Sequence, residues 1–152
     1  MTENGMMRIA QLERVGDHAL EIQWENGRKF PVDLREPVFR LKGLRPLRDP
    51  RMFARFEIGD NGRSVTWPDD IDMGADRLFE LALEQNGRSD TAEFIRWRWR
   101  NGLSLSGAAE ALRIDRRTVA YYISGEREVP WHILLACTGW EARKAGWRRD
   151  AA

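Results

Sequence analysis

The chain has one cysteine, Cys137, and two histidines, His18 and His132, among 152 residues. A single cysteine excludes an intramolecular disulfide and argues against a cysteine-based zinc site. Cys137 is expected to be a small buried apolar residue on a helix, because a reactive thiol needs an electropositive, accessible setting. Neither histidine has a Ser, Cys or carboxylate beside it at a catalytic spacing. There is no phosphate loop and no dinucleotide fingerprint. These absences point away from an enzyme and away from a cofactor. No apolar run approaches the roughly 20 residues of a membrane helix. The start, Met1-Thr2-Glu3-Asn4-Gly5, lacks the basic and apolar regions of a signal peptide. The expectation is a cytoplasmic chain that makes no membrane contact.

What is present suits a globular protein: 42% hydrophobic and 32% charged residues. Net charge is only +1, but it is divided unevenly. Residues 88–152 carry twelve Arg/Lys against eight Asp/Glu, whereas residues 1–87 carry thirteen against sixteen. A basic half following an acidic half suggests two modules, with the basic one facing nucleic acid.

The first module, residues 1–87, has strand-like alternation. Leu20, Ile22 and Trp24 alternate with Glu21 and Gln23, Glu25-Asn26-Gly27 forms a hairpin turn, and Phe30, Val32 and Leu34 resume the pattern. Asp33 is expected to close a turn after that strand. Pro37 and Pro46 are expected to break the middle of the module, and Asp49-Pro50 to start a helical turn through Met52 and Phe53. Phe56 and Ile58, then Val65 and a half-buried Trp67, read as two further strands about the turn Gly59–Gly62. A helix begins near Gly74, with Leu78, Leu81 and Ala82 on one side, and closes at Asn86-Gly87. Asp69, Asp70, Asp72 and Asp76 do not match calcium-loop spacing, and helix capping explains Asp72 or Asp76 more simply. The cluster could also meet a basic partner protein. His18, beside Asp17, is expected at the surface.

Residues 88–152 show no strand pattern. Ser89 or Asp90 caps a first helix that stops at Asn101-Gly102. Ser104 caps a second, Asp115 a third, and Pro130 opens a fourth. The fold class is therefore α+β: a small antiparallel-sheet domain, then an all-helical domain. Two short helices that cross steeply need small residues at the crossing, supplied by Ala108 and Ala109, with Leu112 one turn later and Ile114 as an apolar plug. Val119, Tyr122 and Ile123 face inward. Arg116, Arg117, Ala120, Tyr121 and Ser124 form the outward face. Trp97 is expected in the core, with the stems of Arg96, Arg98 and Arg100 lying over apolar surface. Trp140 and Trp147 are candidate interface or core residues.

The stretch Asp90 to about Ala145 resembles the lambda-repressor-like helix-turn-helix family. The resemblance is carried by Phe94, Trp97 and Arg98, by Leu103-Ser104, by Thr118-Val119, by Tyr122-Ile123-Ser124-Gly125 and by Val129-Pro130. Two positions depart from it. Leu105 stands where the family often has Gln, and Arg113 stands at the turn position usually held by Gly, where a left-handed backbone costs about 1 kcal/mol. The first module resembles domain of unknown function 2442 over about residues 7–80. That resemblance rests on Leu20–Trp24, Gly27, Val32-Asp33-Leu34, Leu47, Asp49-Pro50 with Phe53, and Trp67-Pro68 with Asp72. It implies a bacterial protein whose sheet domain precedes a helix-turn-helix, and an antitoxin-like context.

These resemblances imply sequence-specific binding of duplex DNA by a transcription regulator or antitoxin-like repressor. Arg116 and Arg117 would read base edges, with Tyr121 one turn later. Ser104 and Arg127 would meet phosphates, and Thr118 and Ser124 complete the expected site. A homodimer is expected, and the first module could bind a small partner protein. The alternative is a protein-interaction module whose helix-turn-helix does not touch DNA.

Overall fold

The computed structural model describes residues 7–146, which divide after Gly87 into two compact units. The first holds two three-stranded antiparallel sheets. In the first sheet β1 (Ile9–Gly16), β2 (Ala19–Trp24) and β3 (Lys29–Asp33) run as a meander. Leu20, Ile22 and Trp24 are fully buried, as strict alternation requires of one covered face. Gly27 turns the hairpin at φ 86°, a conformation that favours glycine.

The connection onward is helical, not broken. Pro37 lies within α1 (Arg35–Arg40) and Pro46 within a 3-10 segment, Lys42–Arg48. Pro37 falls in the first turn of α1, where a missing N–H leaves no intrahelical bond unmade. The Asp33 carboxylate accepts from the Arg35 N–H at 2.9 Å, and Asp49 from the Arg51 N–H at 2.9 Å to start α2 (Pro50–Phe53). His18 is not at the surface. Its ring is buried edge-on against Phe39 and Phe53, and its Nε2 lies 3.0 Å from the Arg48 carbonyl.

The second sheet comprises β4 (Glu57–Gly59), β5 (Ser64–Trp67) and β6 (Ile71–Gly74). β6 is a strand the sequence pattern hid. Pro68 does end β5, but Asp69 and Asp70 both adopt positive φ (68° and 58°) and turn the chain straight back. Asp72 therefore sits in a strand and caps nothing. Trp67 is buried rather than half-buried, and its Nε1–H donates to the Phe53 carbonyl at 2.8 Å.

Helix α3 (Ala75–Gln85) buries Leu78, Phe79, Ala82 and Leu83; Leu81 is only half-buried and Phe79 takes the expected place in the core, edge-on to Trp24 at 4.9 Å. Gly74 occupies its N-cap, and Asp76 instead accepts from the Met7 N–H. At the other end the Gln85 amide accepts from the Asp33 N–H (2.7 Å) and donates to the Asp33 carbonyl (2.8 Å). It thus pairs with β3 as a neighbouring strand would.

The second unit is built from α4 (Ser89–Arg100), α5 (Leu105–Leu112), α6 (Arg116–Ser124) and α7 (Trp131–Lys144). Phe94, Trp97 and Tyr122 meet ring to ring in its core, and the half-buried Trp140 packs edge-on to Trp97. Arg98 does not lie over the surface: it is 0% exposed, and its Nη1–H donates to the Leu103 carbonyl at 2.9 Å. A buried guanidinium thereby fixes the turn between α4 and α5.

Gly62 stitches the two sheets of the first unit. It has φ 85°, and a Cβ there would lie 2.8 Å from the Ile9 carbonyl oxygen. Gly62→Ala is expected to destabilise the protein by about 2 kcal/mol or more, read as a lower denaturation midpoint with unchanged m-value. A midpoint equal to wild type would show that the two sheets do not depend on this approach.

Candidate nucleic-acid interface

Helices α5 and α6 are joined by a short turn, residues 113–115. Ser104 starts α5 by accepting from the Gly107 N–H at 3.0 Å. This uses its hydroxyl oxygen within the helix start, where free backbone N–H groups point outward. Leu105 is buried, so no side chain reaches a phosphate from that position. Ala108 and Ala109 are buried where α5 meets its neighbours. The turn closes with Ile114 N–H on the Ala109 carbonyl (3.0 Å) and Arg113 N–H on the Glu110 carbonyl (3.3 Å). This double bond pattern requires a left-handed residue, and Arg113 supplies it at φ 57°. Asp115 occupies the N-cap of α6 with an extended backbone, but its side chain makes no capping bond.

Val119, Tyr122 and Ile123 anchor α6 in the core, leaving Arg116 and Arg117 exposed in its first turn. Arg117, Tyr121 and Arg127 come together. The Arg117 Nε–H donates to the Tyr121 hydroxyl at 2.8 Å, and the Arg127 guanidinium lies 4.4 Å from the Tyr121 ring centroid. One phenol thus carries a guanidinium at its hydroxyl and another near its face. Thr118 is half-buried. Ser124 is half-buried and bonded to nearby backbone: its hydroxyl donates to the Tyr121 carbonyl and accepts from the Glu126 N–H.

Sequence reasoning missed what holds Arg127 in place. Arg88, the first residue of this unit, donates to the carbonyls of Gly125 (2.8 Å) and Arg127 (3.4 Å) and to the Thr91 hydroxyl (3.0 Å). Neither Ser89 nor Asp90 caps α4; Arg88 stands at the cap, and Asp90 accepts from the Val129 N–H at 2.8 Å. The first turn of α4 therefore clamps the loop that follows α6. No local pattern signals a bond across 37 residues.

On the opposite side Arg100 donates to Glu141 through Nε (2.7 Å) and Nη2 (2.6 Å), and Asn101 Nδ2 donates to Glu141 as well (3.0 Å). The Arg100 bonds, then that of Asn101, hold the Glu141 carboxyl down at about 2. Cys137, one turn away, is buried, and its thiol is pushed up to about 12 chiefly by desolvation. That suits an unreactive core residue. Trp140 is half-buried and edge-on to Trp97, and Trp147 lies outside the described residues.

A comparison with curated proteins gives no match. The family described as "Protein of unknown function (DUF2442)" matches residues 9–84. Among solved structures, the chain is similar to NE0471 of Nitrosomonas europaea ATCC 19718, a protein named as a candidate DNA-binding protein. The two are 36% identical with a TM-score of 0.68, over 93% of this chain and 90% of that one.

Two outcomes are expected. Arg113→Gly removes left-handed strain and should raise stability by up to about 1 kcal/mol; a loss in chemical denaturation would mean the Arg113 side chain itself stabilises the turn. Glu141 contributes stability that is fully present above the ordinary carboxylate value near 4.5 and is lost as pH falls toward about 2. Glu141→Gln should therefore flatten the pH dependence of the melting temperature between those limits. An unchanged slope would assign it to other carboxylates.

Proposed function

The chain belongs to the DUF2442 family, and from that premise we propose that its second unit is a lambda-repressor-like helix-turn-helix that binds duplex DNA sequence-specifically, as a transcription regulator or antitoxin-like repressor. The carrying observation is the Arg117–Tyr121–Arg127 group set against α6, with Arg116 beside it. Guanidinium groups pair bidentately with guanine edges and with phosphates. The name given to the similar Nitrosomonas protein supports the same reading.

In this reading the first turn of α6 enters the major groove. Arg116 and Arg117 read base edges, with Thr118 and Tyr121 beside them. Arg127 meets a phosphate, and the start of α5 at Ser104 offers backbone N–H groups to another. Ser124 serves by closing the helix that carries Tyr121. One such unit makes few base contacts, so tight binding calls for a homodimer on half-sites about one helical turn apart.

The test is titration of a fluorescent duplex carrying the gene's own upstream region, at low and moderate salt. Wild type should bind with an affinity that falls steeply with salt, and Arg116→Ala/Arg117→Ala should lose the preference for that sequence over a scrambled duplex. Arg117→Ala alone should cost roughly 1–3 kcal/mol and relax specificity at one base pair; equal weakening on every sequence would make Arg117 a phosphate contact. No binding at low salt, or binding unaffected by the double variant, would favour a protein-interaction module.

A further inference from the structure

Helix α7 buries one side and presents an apolar side to solvent. Trp131 is 69% exposed and Leu135 51% exposed. Gly139 is exposed too, and a Cβ there would meet nothing within 4 Å. Residues four apart on a helix are displaced by only about 40° around the axis, so these three form one stripe. It carries a large ring at one end, a branched side chain in the middle and an open notch at the other end. The flanks differ in charge. Glu126 and Glu128 are exposed before the N-terminus, with Arg127 drawn onto Tyr121, while Arg143 and Lys144 are exposed in the last turn, the Lys144 ammonium 5.1 Å from the Trp140 ring centroid.

We propose that this face binds a second copy of the chain, α7 against α7 in antiparallel orientation, about a two-fold axis at Leu135. Trp131 and Gly139 each lie about 6 Å along the helix from Leu135. The two-fold therefore sets the ring of each copy over the notch of the other, and Leu135 against Leu135. The same operation brings the acidic approach of one helix to the basic end of its partner, and it opposes the two helix dipoles favourably. A two-fold contact must be self-complementary in this way. One helix face covers less than the roughly 800 Å² per partner of a standard interface, so the dimer is weak and depends on concentration. This surface would supply the homodimer of the DNA reading, but it rests on α7 alone.

The experiment uses the full chain without DNA. Leu135→Cys places a thiol on the axis, where its symmetry mate lies within disulfide reach. The native Cys137 is buried and unreactive, so wild type is a silent background. Under mild oxidation Leu135→Cys should become a covalent dimer about tenfold faster than the exposed control Lys42→Cys. In sedimentation, wild type should associate as concentration rises, and Gly139→Arg, which fills the notch, should weaken association at least about tenfold. Cross-linking no faster than the control, a wild type that stays monomeric at millimolar concentration, or a Gly139→Arg variant that associates like wild type would each overturn the proposal. DNA binding by a protein that fails these tests would leave the DNA reading standing and remove this interface.

Discussion

The clamp between the first turn of α4 and the loop after α6 governs the geometry of the second unit. Arg88 bonds the carbonyls of Gly125 and Arg127, and Asp90 bonds the N–H of Val129. These are backbone groups at a helix end, where intrahelical partners run out. Charged side chains satisfy them better than neutral ones. The consequence reaches the surface, because the backbone so fixed carries Arg127, whose guanidinium packs on Tyr121. Without the clamp the loop would be free to adopt other paths, and the Arg117–Tyr121–Arg127 group would be a chance meeting of long side chains. With it, all three members stand on constrained backbone, Arg117 and Tyr121 on α6 and Arg127 on the clamped loop.

A buried cation acts at the other end of α4. Arg98 is enclosed and bonds the Leu103 carbonyl just before the Ser104 cap. Desolvating a guanidinium is costly unless its donors are used. The Nη1 bond at the turn, where carbonyls leaving a helix need donors, offsets part of that cost. Two arginines thus fix both ends of the α5–α6 pair, Arg98 at its entry and Arg88 at its exit, while the apolar contacts of Ala108, Val119 and Ile123 fill the space between.

Much of this was legible in the sequence where structure is local. The alternation of Leu20, Ile22 and Trp24, the Asn26-Gly27 turn, the Asp49-Pro50 start and the Ser104 cap depend on neighbours a few residues away. The reading failed where a residue answers to distant partners or to an uncommon backbone. Pro37 and Pro46 signal a break in isolation, but a proline in a first helical turn or in a 3-10 segment costs little. Asp69 and Asp70 looked like an acidic cluster because their positive φ values cannot be read from composition, and β6 was lost with them. His18 looked exposed beside Asp17, yet Phe39, Phe53 and the Arg48 carbonyl enclose it from segments 21 to 35 residues away. At the candidate site the outward residues of α6 follow from helical periodicity. The clamp from Arg88 does not, because nothing local specifies it.

The charge around α6 sets what the unit can do alone. Arg116, Arg117 and Arg127 are exposed, but so are Glu110, Asp115, Glu126 and Glu128 close by in sequence. At physiological salt, exposed charges are screened beyond about 8 Å, so phosphates feel the nearest guanidinium groups more than the net charge of the unit. In the proposed DNA reading, non-specific attraction is then weak, and discrimination falls to the few groups held in fixed positions. The stacked Arg127 and the hydrogen-bonded Arg117 lose less freedom on contact than extended side chains would. A surface of this kind favours selectivity over affinity. The affinity it lacks is recovered most simply by presenting it twice, since two linked contacts on one duplex act at high effective concentration. In the proposed reading, that requirement ties the exposed stripe on α7 to the arginines of α6 as parts of one binding surface.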